Sequence, residues 1–193
     1  MPLPHAILGF LDFQALSGYD LKKYFDQSIA HFWSATQSHI YKALEKLEKG
    51  GLVESQVFVQ EARPNRKQYQ ITEAGRAELH HWLTSPLPLE QVREAWLIQV
   101  FFSHASTNDE IAALLETRIQ AIRERLDAYH TDAQAAIDQN VDRVGEERAR
   151  QLWQITLDRG IEYYKFELAW LEKTLECARD LPSLTTPDRI PES

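Results

Sequence analysis

The spacing of apolar and polar positions changes character twice along this chain. Leu3–Ala15 is apolar enough for a buried helix, and Ser17-Gly18 breaks it, with Ser17 placed to cap a second helix running to about Ile29. A third helix starts near Ser34–Thr36 and stops at Gly50-Gly51, a glycine signal typical of helix ends. The period then shortens. Leu52–Val59 is rich in β-branched residues and Lys67–Ile71 alternates polar with apolar, while Ala62-Arg63-Pro64-Asn65-Arg66 between them is turn-forming, so a β-hairpin is predicted. Thr72 then caps a further helix through about Leu83. Three helices, a hairpin and one more helix is the order of a winged helix-turn-helix.

Ser85-Pro86-Leu87-Pro88 marks the boundary, because two prolines so close together break a helix and favour an extended connector. Residues 1–85 are expected to form the winged domain, 86–180 a helical dimerisation domain, and 181–193 a Pro-containing tail, disordered or loosely docked. After the boundary the periodicity is wholly helical: Glu90–Phe102, a long Thr107–Asn140, and roughly Arg143–Arg179. Ile111, Leu114, Leu115, Ile119, Ile122, Leu126 and Tyr129 share one stripe. On the last helix Leu157, Ile161, Tyr164, Leu168, Leu171 and Leu175 recur at heptad spacing and are the candidate dimerisation residues. Tyr163, Phe166 and Trp170 form a second stripe beside them. Two apolar stripes need two coverings, so one is assigned to a partner subunit; packing on the N-terminal domain is the competing explanation. The fold class is therefore mainly α, a winged domain followed by antiparallel helices.

Charge changes the picture once its location is considered. The 193 residues carry a formal net charge of −8, which by itself speaks against nucleic acid. Residues 1–85, however, balance nine basic against nine acidic residues, and the entire excess of acid lies in 86–193. The single cysteine, Cys177, excludes an internal disulfide framework and suggests a reducing compartment, most simply the cytoplasm. No targeting segment is apparent at the N-terminus, and no apolar run is long enough to span a membrane.

Placing Ile40 at the centre of the third helix's buried face puts Leu44 and Leu47 close to it and Ala43 beside it, at about 100° per residue. Ser38, Lys42, Glu45 and Lys49 then lie opposite, with Tyr41 at one edge and His39 and Lys46 at the other. In a helix-turn-helix, the N-terminal turns of this helix enter the major groove. Thr36 at the helix head and Gln37, Ser38, His39, Tyr41 and Lys42 after it are the DNA-contact candidates. Gln can bridge an adenine edge; Ser and His can bond bases or phosphates; Tyr and Lys can anchor phosphates. The hairpin turn adds Arg63, Asn65, Arg66 and Lys67, suited to a phosphate backbone or a narrow minor groove. The alternative for this turn is a solvated loop with gatekeeper charges.

Thr36-Gln37-Ser38-His39-Ile40-Tyr41-Lys42-Ala43-Leu44-Glu45-Lys46-Leu47-Glu48-Lys49-Gly50-Gly51-Leu52-Val53 resembles the recognition-helix segment of PadR-family transcriptional regulators. The stretch Arg63–Gly75 is similar to that family's wing, and Ile7–Leu11 with Ser17–Leu21 to its first two helices. Trp96–Phe102, Gly160–Tyr164 and Trp170-Leu171 resemble the long-helix type related to virulence-gene activators. Two departures are Ile71, where the family more often has Leu, and Ser38-His39, where many members have Gly-Thr; base preference therefore does not carry over. The resemblance implies a homodimer binding a pseudo-palindromic operator in double-stranded DNA. It also implies regulation by a small effector, often aromatic, with repressors common and some relatives activating.

His80-His81 point about 100° apart on a helix and do not chelate one ion easily, so no metal is assigned. No nucleophile-elbow or phosphate-cradling glycine pattern is present, no cofactor is implied, and an enzyme is not expected. Trp33 and Trp96 flank the junction of the two halves and are candidates for an effector pocket, against ordinary packing. Two rival readings remain: a winged module for protein association with a helical scaffold, and an aromatic-ligand sensor that acts without DNA.

Overall fold

A computed structural model describes residues 2–29, 32–58, 66–89, 91, 93–144 and 147–182, the side chains of Arg66 and residues 140–144 excepted. The helices are α1 (Pro2–Phe13), α2 (Gly18–Gln27), α3 (Gln37–Lys49), α4 (Glu73–Thr84), α5 (Ala95–Phe101), α6 (Asn108–Ala128), α7 (Gln134–Val144) and α8 (Glu147–Arg179). The strands are β1 (Leu16–Ser17), β2 (Val53–Phe58) and β3 (Arg66–Ile71). They form one antiparallel sheet in the order β1-β3-β2. The backbone divides into two units, Met1–Pro88 with Ala135–Gln151, and Leu89–Gln134 with Leu152–Ser193. Among the described residues no helix is long and apolar enough to cross a membrane.

In the first unit the core is built by one apolar side from each element. Ile7 and Leu8 of α1, Leu21 of α2, and Ile40 and Leu44 of α3 are wholly buried, and Val53, Tyr69 and Ile71 close it from the sheet. Each such side chain contributes about 1.5–3 kcal/mol of transfer free energy. Ser17 serves two elements at once. Its backbone belongs to β1, in register with Gln68, while its hydroxyl accepts from Asp20 N–H and Asp20 reciprocates as a capping box for α2. β1 is a strand that the pattern of the sequence did not announce.

The chain leaves α3 through Gly51, whose φ of 69° is left-handed, and enters β2 at once. Thr72 then ties the sheet to α4: its hydroxyl donates to Gly51 C=O and accepts from Gly75 N–H. Gly75 sits so close to β2 that a Cβ there would fall 2.1 Å from the Leu52 carbonyl oxygen and 2.8 Å from Ile71 Cγ1.

In the second unit, α6 and α8 run antiparallel. Asn108 at the head of α6 donates to the carbonyls of Arg179 and Leu181 at the end of α8. Ile111, Leu115, Ile119 and Ile122 pack against Leu171 and Ala178, with Tyr164, Leu168 and Leu175 alongside. Leu157 and Leu171 are wholly buried, and Ile161 nearly so. The heptad stripe expected to face a partner subunit is therefore buried within one chain, because α6 presents a matching stripe of its own.

Three boundaries differ from expectation. The long helix is interrupted by a π-turn at Tyr129–Ala133, where the Tyr129 ring lies on Gly160; a Cβ there would be 2.8 Å from Tyr129 Cε2. α5 begins at Ala95 rather than near residue 90, because Glu94 is extended (φ −117°, ψ 98°) and does not cap the helix. α8 begins at Glu147, and the expected start near Arg143 falls in α7 instead. The expected tail, from 183 onward, lies outside the described residues.

Gly75→Ala drives a methyl into a carbonyl held by a sheet, a group that cannot swing aside. It should cost about 1–3 kcal/mol, seen in urea denaturation as a lower midpoint with an unchanged slope.

Candidate nucleic-acid interface

α3 is amphipathic, and its orientation is set by what it buries. Ile40, Ala43, Leu44 and Leu47 face the core. Gln37, Ser38, His39, Tyr41, Lys42, Glu45, Lys46 and Lys49 are exposed. The outward face is thus polar over its full length, and its first two turns carry every helix residue put forward for DNA contact. Lys49 is paired with Glu45, as Lys22 is with Asp26 on α2 and Arg76 with Asp12. Lys23, Lys42 and Lys46 make no ion pair among the described residues, so their charge is available to an incoming anion. Thr36 plays a different part: its hydroxyl caps α3 by accepting from His39 N–H at 3.3 Å.

The wing is a regular hairpin. Val53 pairs with Ile71 and the register runs to Phe58 opposite Arg66. Arg63 and Asn65 lie outside the described residues; Arg66 opens β3, and its side chain is likewise outside them. Lys67 is not a free wing cation. Its ammonium donates to Glu48 Oε2 at 2.8 Å and lies 4.9 Å from the Tyr69 ring centroid, while Glu48 Oε1 accepts from the Ser55 hydroxyl at 2.5 Å. Glu48 is in the last turn of α3, so this cluster fastens the hairpin to the recognition helix. The hydrogen bond from Lys67 holds the Glu48 carboxyl below its ordinary value, and the same bond raises the Lys67 ammonium. The pairing of helix and wing was not apparent from the sequence, because Glu48 and Lys67 are nineteen positions apart.

The two tryptophans put forward for an effector belong to different units. Trp33 packs against the winged core, its backbone N–H donating to Ile29 C=O at 2.7 Å. Trp96 is the centre of a polar-aromatic cluster that sequence reasoning missed. Its indole N–H donates to Glu94 Oε2 at 2.7 Å, the Arg118 guanidinium lies 4.1 Å from its ring centroid, and Trp170 meets it edge-on at 5.7 Å. Arg118 donates through Nε and Nη2 to one oxygen of Glu167, a carboxylate only 6% exposed whose Oε2 is buried with no hydrogen-bond partner among the described residues. Tyr163 donates to Glu94 Oε1 at 2.9 Å; burial first, then that bond, pushes its phenol up to about 12, so it stays a donor. Tyr163, Glu167 and Trp170 lie four and three residues apart on α8. That spacing was the available clue, overlooked because Glu167 reads as one more surface acid.

A winged helix-turn-helix presenting a polar recognition helix, followed by a pair of long helices, defines a winged-helix regulator. Residues 7–81 match the family described as transcriptional regulator PadR-like, and residues 92–178 the virulence activator alpha C-terminal family. The chain belongs to the PadR-like family of transcriptional regulators. It is 34% identical over 125 residues to the negative transcriptional regulator PadR of Bacillus subtilis, covering 64% of this chain and 69% of that protein. A transcriptional regulator of Mycobacterium tuberculosis is 47% identical over 87 residues, and there the match spans 45% of this chain and 46% of the relative. The crystal structure of Bacillus subtilis PadR with operator DNA superposes with a TM-score of 0.78 at 27% identity, covering 92% of this chain and 99% of that one. The same protein with p-coumaric acid gives 0.75 at 27%, over 93% and 100%. These relatives are regulators, not enzymes.

Glu48→Gln should detach Lys67 and loosen β3, raising amide hydrogen exchange at residues 67–71. The pair is partly exposed, so the global cost should stay below about 1 kcal/mol. A lowered carboxyl contributes stability that is present above its ordinary value of 4.5 and lost as pH falls through its depressed one. A raised ammonium contributes below 10.5 and is lost as pH climbs past its elevated value. Wing protection should therefore hold between those limits and fall away on both sides.

Proposed function

We propose that this chain is a homodimeric, DNA-binding transcriptional repressor that answers to a small aromatic effector and works in the cytoplasm. The observation that carries the reading is the outward face of α3, polar throughout and bearing Lys42 and Lys46, which make no ion pair among the described residues, in a chain whose relatives regulate transcription. In this reading Gln37, Ser38 and His39 meet base edges in the major groove, Tyr41 and Lys42 hold phosphates, and Arg63, Asn65 and Arg66 reach the flanking backbone. The Bacillus subtilis relative has been crystallised with operator DNA and with p-coumaric acid, which supports a DNA partner and an aromatic effector for this chain. For the roles of the segments we propose 1–85 for DNA, 86–180 for dimerisation and 181–193 as a tail, although the backbone of residues 135–151 groups with the first unit.

We assign the dimer surface to the second stripe of α8, because the heptad stripe Leu157–Leu175 is already largely covered within the chain. Leu152, Ile155, Tyr163, Phe166 and Trp170 remain exposed along one side of α8, and Ile98, Phe101 and Phe102 are exposed at α5. Apolar side chains in such number on a soluble helix mark an association surface. The Trp96 cluster, with its aromatic rings and charged groups of both signs, is the effector candidate within the second unit; Trp33 is left to the winged core.

Binding of a duplex from the upstream region of its own gene should weaken linearly on a logarithmic salt scale, and Lys42→Ala should reduce that slope by about one. Gln37→Ala or His39→Ala should instead change the preferred sequence. A wild-type protein with no salt-sensitive affinity would favour the protein-association reading. The two stripes separate in a sedimentation experiment. Ile155→Asp with Phe166→Asp should give a folded monomer, whereas Leu171→Ala should cost about 2–5 kcal/mol of stability without selectively splitting the dimer.

A further inference from the structure

Gly18 is the first residue of α2, and it is buried. Its φ is not positive, so its backbone makes no demand for glycine. Within a helix, glycine is also among the least favourable residues. Something outside α2 must require the bare Cα. That neighbour is Tyr41: a Cβ on Gly18 would stand 2.5 Å from Tyr41 Cε1, 2.7 Å from Cζ and 3.1 Å from the hydroxyl oxygen. The phenol of the recognition helix is therefore laid across the start of α2, in space that any other residue would fill. Tyr41 is nevertheless 44% exposed, and its hydroxyl makes no hydrogen bond among the described residues. The backbone beneath it is held firmly, since Ser17 is paired with β3 and locked to Asp20 by the capping box.

We propose that Gly18 is a positioning residue for DNA binding: its missing side chain seats the Tyr41 ring and aims the hydroxyl at a backbone phosphate. This rests on the DNA-binding reading above. Tyr41 is the movable partner in the contact, the far end of a side chain rather than a main-chain atom, so a methyl on Gly18 displaces the ring and leaves the helices in place. The consequence is an inversion of the usual pattern. Gly18→Ala should keep or raise thermal stability while weakening DNA binding. A lost hydroxyl–phosphate bond corresponds to a decrease of about tenfold or more. Because the phenol is uncharged, the decrease should be parallel at all salt concentrations, unlike the change in slope expected for Lys42.

The test is a double-mutant cycle read by fluorescence anisotropy on a labelled duplex from the upstream region of the protein's own gene. Gly18→Ala and Tyr41→Phe should each lose about tenfold with unchanged salt slope, and Gly18→Ala should cost nothing further in a Tyr41→Ala background. Unchanged affinity in Gly18→Ala, or losses that multiply in the double variant, overturns the proposal. Should Gly18→Ala fold poorly, the Tyr41→Ala background must restore its folding, since the clash is removed; failure to restore it also overturns the proposal. Absence of salt-sensitive binding by the wild-type protein defeats the DNA-binding reading instead, and is distinguishable from all of these.

Discussion

Everything the winged unit presents to the outside depends on the burial of one side of α3. Ile40 and Leu44 are completely enclosed, with Ala43 and Leu47 beside them. A helix anchored along one edge has no rotational freedom left, so Gln37, Ser38, His39, Tyr41 and Lys42 face outward as a consequence of packing rather than by their own interactions. The hydrophobic term therefore positions the polar one. Thr36 fixes where the helix begins and Gly51 fixes where the chain can turn out of it.

Electrostatics then refines the surface that packing creates. Several cations of the winged unit are already committed: Lys22, Lys49, Lys67 and Arg76 each hold a carboxylate. The Glu48–Lys67 contact is worth little as an exposed ion pair, yet it joins the last turn of the recognition helix to the first strand residues of the wing. Its value lies in geometry. A charge that reads as available in the sequence is used to hold the two elements in register, and among the described side chains the cations left over, Lys23, Lys42 and Lys46, lie on α2 and α3.

The second unit makes a comparable division between two apolar stripes on one helix. α6 supplies a complementary stripe, so the heptad series Leu157–Leu175 becomes an intrachain seam and the stripe through Ile155 and Phe166 stays exposed. Periodicity showed that two coverings were needed. It carried no information on which one the chain supplies itself, since both stripes are apolar and similarly spaced. The same limitation concealed the Glu167–Arg118 pair, where partners forty-nine positions apart meet only after α6 and α8 have docked.

Local chemistry in the chain determined most of the winged unit: Ser17 and Thr72 as caps, the start of α3 near Thr36, the β-branched run of β2, the alternation of β3, and the amphipathic face of α3. These features act within a few residues, through hydrogen bonds and side-chain spacing that any reader of the sequence can count. Tertiary structure alone decided the short strand β1, the π-turn at Tyr129, the engagement of Lys67 by Glu48 and the seating of Tyr41 on Gly18. Each of these arises from two segments competing for the same space or sharing one charge. The outcome depends on distances across the fold that no local pattern encodes.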